Sequence, residues 1–182
     1  MSKIIAICAG HSDKDPGAVN GKRTEAAIVL DMRKMVASYL EKAGVKYLTD
    51  GKGGVNQPLA EAIKVAKQAS IAVEFHCNAA TSKKATGVEV LSAEKNKALA
   101  KQIAAKINGV LNIPLRGESG WKSEGSGQHS RLGFISSGGG LIVELFFISN
   151  DDDLAKWDAK KWLVAKEVAA VLIEQVKKAE AA

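Results

Sequence analysis

Short apolar runs alternate along the chain with longer segments that have helical periodicity. Runs rich in Ile, Val and Phe and bounded by glycine or polar residues are typical of buried strands. The predicted strands cover residues 3–9, 45–49, 70–76, 87–92 and 140–148. Apolar residues spaced three and four apart predict helices over residues 24–43, 56–69, 94–111 and 162–176, with a helical turn at 151–157.

Strands that alternate with helices predict an α/β domain with a mostly parallel sheet and helices on both faces. A length of 182 residues is most simply one domain, and no repeat or linker divides residues 1–182. Residues 116–131 contain four glycines and no periodicity, so we expect a long surface loop there.

Composition narrows the possible partners. The net charge of +6 suits an anionic partner such as nucleic acid, a membrane surface or a cell wall. Aromatic residues are only 5%, and no basic run is interleaved with them, so we expect no nucleic-acid partner. No apolar stretch approaches the roughly 18 residues of a membrane span, so we expect no stable membrane insertion.

The first apolar run is too short for the core of a signal peptide, and it leads directly into a histidine motif. We therefore expect a protein that is made in the cytoplasm without an export signal. We also expect the protein to be a monomer. The lysine-rich terminal helix has two interpretations. It can be a membrane-active amphipathic tail, but its apolar stripe, from Trp162 to Val176, favours packing on the core.

Two histidines and two carboxylates stand where predicted strands end or a helix begins. His11 follows the first strand, His76 ends another, Glu144 lies in the last apolar strand, and Glu25 opens the helix after Thr24. Because ligands bind beyond the carboxyl ends of strands in such sheets, these four side chains can face one rim. Each also has a plain alternative. His11 can be a loop histidine and His76 a histidine of the core. Glu144 can be a buried acid, and Glu25 can be a carboxylate that interacts with the helix dipole.

These motifs together favour a metal site. The strings are Gly10-His11 followed by Asp15-Pro16-Gly17-Ala18, then Glu25, then His76-Cys77-Asn78, and finally Val143-Glu144 followed by Ser149-Asn150. The order and composition of these motifs resemble those of the zinc-dependent N-acetylmuramoyl-L-alanine amidases, a family of cell-wall hydrolases. The resemblance extends from Ile4 to about Leu172.

The resemblance implies a twisted sheet of about six strands flanked by helices. It implies one Zn²⁺ bound by His11, Glu25 and His76, with Glu144 as the catalytic carboxylate. The implied substrate is peptidoglycan, cleaved at the amide between the lactyl group of N-acetylmuramic acid and L-alanine.

Four further residues are candidates for supporting roles. By the resemblance, Asn78 holds the loop after His76. Glu74 points to the same sheet face as His76 and can orient it, or it can pair with a surface lysine. His129 and Arg131 lie in the long loop, where a basic group can meet a carboxylate of the peptide stem or simply be solvated.

Three functions follow from these interpretations. The first is a single-domain amidase that acts as a phage endolysin, because no wall-binding module is apparent. The second is a zinc carboxypeptidase with a similar set of ligands. The third is a non-catalytic wall-binding module, which the complete set of four residues argues against.

Overall fold

The chain is built around one six-stranded sheet. The computed structural model describes residues 3–126 and 131–180. In chain order its strands are β1 (Ile5–Ala9), β2 (Val19–Asn20), β3 (Arg23–Thr24), β4 (Tyr47–Thr49), β5 (Ile71–Asn78), β6 (Glu89–Ser92), β7 (Trp121–Ser123) and β8 (Leu141–Phe147). β2 and β3 form a separate two-stranded hairpin, and the other six belong to the sheet.

The order of strands in the sheet is β4-β1-β5-β8-β6-β7. β6 is antiparallel to β8, whereas every other neighbouring pair in this sheet is parallel. The predicted mostly parallel sheet of about six strands is therefore confirmed. Because β6 is reversed, its first residue meets the same rim of the sheet as the carboxyl ends of β1, β5 and β8.

Helices cover both faces of the sheet, as predicted. They are α1 (Glu25–Lys42), α2 (Leu59–Ala66), α3 (Lys97–Leu111), α4 (Gly133–Ser136) and α5 (Asp151–Glu180), with a 3₁₀ turn at Glu94–Asn96. Buried residues of α1, α3 and α5 belong to the larger hydrophobic cluster, and those of α2 and α4 to a smaller one.

Alternation along the central strands separates the two clusters. In β1, Ile5 and Ile7 belong to the larger cluster and Ala6 and Cys8 to the smaller one. Since successive side chains of a strand point to opposite faces, the face with Cys8 also receives its register partner Glu74. Polar side chains of β5 therefore emerge on the face that α2 and α4 cover only in part.

The prediction of a turn at residues 151–157 followed by a separate helix was wrong. α5 is continuous over Asp151–Glu180. The polar residues after Trp157 lie on its solvent side, while buried Trp157, Val164, Val168 and Leu172 continue one stripe toward the core. Trp162, assigned to that stripe from the sequence, is 58% exposed.

Several other boundaries differ from the prediction, two of them by more than the ends of a strand. Residues 116–131 are not entirely loop, because Trp121–Ser123 forms the edge strand β7, which is too short for a periodic pattern. The helix predicted over residues 56–69 covers only Leu59–Ala66, because Pro58 is its extended N-cap. Among the helices of the described residues, none has the length and hydropathy that crossing a membrane requires.

Candidate metal centre and catalytic site

One buried carboxylate joins the two candidate histidines. Glu25 Oε2 lies 2.9 Å from His11 Nε2, and Glu25 Oε1 lies 3.1 Å from His76 Nδ1. One ligand atom from each of the three residues lies within 4.8 Å of the others. The structure therefore brings together the three residues that the sequence predicted as metal ligands.

Glu25 is held in place by the start of α1. The Thr24 side chain caps the helix by accepting from Ala27 N–H at 3.3 Å, and Glu25 N–H donates to the carbonyl of Ala18 at 2.8 Å. Its two carboxylate oxygens also accept from backbone N–H groups, Oε2 from Ala18 at 3.0 Å and Oε1 from Cys77 at 2.9 Å. These bonds fix the carboxylate between the end of β5 and the loop after β1.

His11 occupies a backbone conformation that the surrounding structure must support. Its φ is +66°, in the left-handed region that favours glycine. Asn56 Nδ2 donates to the carbonyl of Gly10 at 2.8 Å, and the backbones of Asn56 and Asp13 are also joined, since Asp13 N–H donates to the carbonyl of Asn56 at 3.1 Å. Asn56 therefore orients the peptide that carries His11.

A buried ion pair supports the same segment from behind. Arg33 Nη1 donates to Asp50 Oδ1 at 2.6 Å, and the Asp50 carboxylate accepts from Ala9 N–H at 3.3 Å. Arg33 Nη2 also donates to the carbonyl of Val55 at 2.7 Å, directly before Asn56. The sequence analysis missed Arg33, Asp50 and Asn56, because they act on backbone groups and belong to no recognisable motif.

Two outer carboxylates orient the histidine rings. His11 Nδ1 lies 2.9 Å from Asp15 Oδ2, and His76 Nε2 lies 3.1 Å from Glu74 Oε2. An N–H directed at a carboxylate leaves the opposite ring nitrogen available as a ligand. Glu74, predicted either to orient His76 or to pair with a surface lysine, contacts His76, whereas the sequence predicted no role for Asp15 beyond its place in the first motif.

Close packing leaves no room for side chains at the glycines beside the rings. A Cβ on Gly10 would lie 2.2 Å from His76 Cε1, and one on Gly17 would lie 2.6 Å from His11 Nε2. Gly17 also has a φ of +64°. The glycines of the two motifs thus let the main chain pass directly against both candidate ligands.

Charges within the triad shift the pKa values of its members in opposite directions. Burial raises the pKa of Glu25, but its bonds to His11 and His76 outweigh this and hold the pKa below its usual range. Burial lowers the pKa of both histidines, but the bonds of each with Glu25 raise the pKa of His11 and bring that of His76 well above its usual value. In the metal-free protein both rings therefore hold a proton more strongly than a free imidazole does.

Glu144 lies on the strand next to His76. The two residues are register partners in β8 and β5, and Glu144 is partly exposed in a strand whose other residues are buried. Its Oε2 atom is buried and has no hydrogen-bond partner among the described residues. The pKa of Glu144 is raised to about 7, chiefly by burial; the charge of His76 opposes the rise, and the charges of Glu25 and Glu89 contribute to it.

Glu89, at the start of β6, lies in register with Glu144 and His76, so the three residues form a row across neighbouring strands. Its Oε2 accepts from Arg116 Nε at 2.7 Å and from Lys122 Nζ at 2.8 Å. Asn78 lies near Glu89 at the end of β5, and its buried Nδ2 has no hydrogen-bond partner in the part of the chain that the structure describes. Sequence reasoning did not identify Glu89, Arg116 or Lys122.

A cavity of about 460 Å³ opens beside the histidines. His11, Glu74 and His76 form its polar end. Its apolar wall comes from α2, the segment around α4 and β8 and consists of Leu59, Leu132, Phe134 and Ile142. Arg131 is exposed directly before Leu132, and His129 lies outside the described residues.

Comparisons with known proteins agree with this fold. The family described as N-acetylmuramoyl-L-alanine amidase matches residues 5–174. A solved structure from Neisseria meningitidis, described as an N-acetylmuramoyl-L-alanine amidase, is 43% identical with a TM-score of 0.88, and the match covers 96% of each chain. The chain therefore belongs to the N-acetylmuramoyl-L-alanine amidase family.

Two further relatives are more distant. N-acetylmuramoyl-L-alanine amidase LytC of Bacillus subtilis is 28% identical over an alignment of 182 positions, which covers 95% of this chain and 34% of that protein. The chain thus spans about a third of the length of this curated relative. The catalytic domain of CwlV from Bacillus (Paenibacillus) polymyxa is 23% identical, with a TM-score of 0.80 and coverage of 96% and 98%, and shares the fold.

Replacing Gly10 with alanine should displace the His76 ring. Because the new Cβ would overlap the imidazole, we expect the free energy of unfolding to fall by about 1–3 kcal/mol. The imidazole NMR signals of His76 should shift as well. Denaturant unfolding and the NMR spectrum test this expectation.

The matched control is Gly109→Ala in α3, where a Cβ would meet nothing within 4 Å. This change should stabilise the protein by about 0.5–1 kcal/mol. If Gly10→Ala left both the stability and the His76 signals unchanged, the close contact between Gly10 and His76 would be refuted.

Proposed function

We propose that the chain is a peptidoglycan hydrolase that cleaves the amide between the lactyl group of N-acetylmuramic acid and the L-alanine of the stem peptide. The single observation that carries this proposal is Glu144. Its unpartnered, buried Oε2 lies on the strand beside a triad of two histidines and a carboxylate. Membership of the amidase family supports the choice of bond.

We further propose that the triad holds one Zn²⁺. Two imidazoles and one carboxylate are the ligand types of catalytic zinc sites, which leave one position open. The ring nitrogens that face Glu25, His11 Nε2 and His76 Nδ1, are those opposite the nitrogens directed at Asp15 and Glu74. The donor set and its outer carboxylates therefore fit zinc.

Each residue has a defined task in the proposed reaction. A zinc ion held by His11, Glu25 and His76 would lower the pKa of its water to about 7 and would polarise the scissile carbonyl. Glu144 accepts a proton from the attacking water through its free oxygen and returns it to the leaving amine of L-alanine. Asp15 and Glu74 keep the two rings in the required orientation.

The proposal predicts which bond is broken in purified peptidoglycan. Cleavage should release intact stem peptides with a new L-alanine amino group, and it should create no new reducing sugar ends. Amine labelling and mass spectrometry of a digest made with the purified 182-residue chain distinguish this outcome from the two alternatives. Free D-alanine with stems still attached would show a carboxypeptidase, and no product at all would favour a binding module.

Glu144→Gln is the matched variant for this digest, because it keeps the shape of the side chain and removes the base. We expect it to retain the fold and the metal while losing activity by roughly 10²–10⁴-fold. Nearly full activity in this variant would refute the role of Glu144.

The proposed metal site predicts a pH dependence of zinc binding. Zinc requires the neutral form of each histidine, and the pKa values of His11 and His76 are raised in the metal-free protein. Affinity should therefore fall as the pH falls from about 8 to about 6, because protons then compete with zinc. Competition against a chelating dye measures the affinity, and calorimetry in two buffers measures the protons released.

Two variants serve as controls for the metal site. His76→Ala should lose zinc, whereas Glu144→Gln should keep about one equivalent. A zinc affinity that is constant across this pH range, or full activity in exhaustively chelated protein, would contradict the proposed ligands.

We also propose that the protein acts as a phage endolysin, made in the host cytoplasm and active on the wall after release. Its net charge of +6 supports attraction to an anionic wall. Bacteria that express the chain should stay intact until their membrane is permeabilised and then lyse rapidly, as followed by turbidity, while cells with the Glu144→Gln variant should not. Recovery of the protein outside intact cells would refute this role.

A further inference from the structure

Arg116 and Lys122 form a pair of cations at the edge of the candidate site. Both contact the same atom, Glu89 Oε2, at 2.7 and 2.8 Å. Lys122 is the register partner of Leu91 in β6, so its side chain is on the same sheet face as Glu89 and Glu144. The segment that carries Arg116 runs beside the start of β6, where Arg116 N–H donates to the carbonyl of Val88 at 3.0 Å.

The pair carries more charge than Glu89 neutralises. Two cations share one carboxylate, which leaves an excess of one positive charge. The Arg116 side chain is 38% exposed, and its two hydrogen bonds use Nε and Nη1, from a guanidinium with five N–H donors. Its guanidinium also lies over the ring of Phe147, 4.9 Å from the centroid, which fixes the plane of the guanidinium.

The cation pair lies in line with the groups of the proposed reaction. Three neighbouring strands carry the register partners His76, Glu144 and Glu89. Arg116 lies on the segment beside the start of β6 and so takes the next position of this row, after Glu89. Neighbouring strands are about 4.8 Å apart, so the backbone at Arg116 lies about 10 Å from that at Glu144. An extended peptide that crosses the rim from Glu144 outward therefore passes over Arg116 and Lys122.

We propose that Arg116 and Lys122 bind a free carboxylate of the stem peptide, namely the α-carboxylate of the γ-linked acidic residue that follows L-alanine. This inference rests on the proposed amidase function. Two residues of extended chain span about 7 Å, which places that carboxylate within reach of the two cations when the scissile nitrogen lies at Glu144. On the opposite side of the histidines the cavity wall is apolar, so a carboxylate of the peptide finds a cationic partner only on the side of Arg116 and Lys122 among the described residues of the site.

The carboxylate distinguishes two forms of the same substrate. A stem whose acidic residue carries a free α-carboxylate can pair with the guanidinium and the ammonium, whereas a stem in which it is an α-carboxamide cannot. A hydrogen bond to a charged group contributes about 1.5–3 kcal/mol, which corresponds to roughly 10- to 100-fold. Partial exposure of Arg116 places the expected preference near the lower end, about tenfold.

The test compares soluble muramyl peptides that differ only in this group, the acid and the amide. With the zinc-loaded protein, kcat/KM for the acid should exceed that for the amide by about tenfold, mainly through a lower KM. Arg116→Gln and Lys122→Gln should each bring the acid-to-amide ratio toward one. The charge-preserving Arg116→Lys should retain part of the preference, and Lys101→Gln, which removes an equal charge on α3 beside Glu118, should leave the ratio unchanged.

A purely structural role of the two cations gives a different result. If they only stabilise Glu89, their loss lowers the activity on both substrates by the same factor and keeps the ratio, which would overturn the proposal. Equal kcat/KM values of the parent protein for acid and amide would overturn it too, while the amidase function would stand.

A binding measurement separates this proposal from the amidase function. Calorimetry with Glu144→Gln measures the affinity for both peptides without turnover, and it should show the same preference for the acid. If the parent protein cleaves neither substrate but the acid binds more tightly, the amidase proposal fails and carboxylate recognition stands. Equal binding of acid and amide refutes carboxylate recognition.

Discussion

The arrangement of the site depends on one buried carboxylate. Glu25 contacts His11 and His76 through different oxygens, and the same oxygens accept N–H groups from Ala18 and Cys77. A buried charge without partners is costly, so these four contacts are required for Glu25 to remain ionised inside the protein. They also tie the first turn of α1 to β5 and to the loop after β1, three segments that are distant in sequence. The same interaction thus sets the position of the histidines and the packing of the elements that carry them.

The sequence predicted the parts of the fold that periodicity determines. The central strands and α1 and α3 could be predicted because each buries a regular apolar pattern. The alternation of strands with helices predicted a mostly parallel sheet, and the family resemblance implied its number of about six strands. Short elements were not found: β7 has three residues and α4 has four, too few for a period to show. The predicted division of α5 was wrong because the mostly polar residues 158–161 lie on the exposed side of a continuous helix and do not mark its end.

Motifs located the triad and Glu144 for a related reason. Histidines and carboxylates next to glycines and strand ends are visible in sequence, so their meeting at one rim could be predicted. The residues that hold them are less visible. Asn56 supports the Gly10 carbonyl and Asp50 accepts from Ala9 N–H, with Arg33 completing the buried pair. Contacts to the main chain across many residues leave no local pattern, so these three could be recognised only from the structure.

The reversed direction of β6 has a consequence for how such a protein can diversify. The triad and Glu144 depend on α1 and on strands β1, β5 and β8, which run in one direction through the middle of the sheet. Glu89, Arg116 and Lys122 belong to a peripheral layer, with β6 and β7 linked by their own crossover helix α3. None of these three residues contacts His11 or His76 within the described part of the chain. Natural variants can therefore exchange the charges at the edge and acquire new preferences while the inherited centre stays intact.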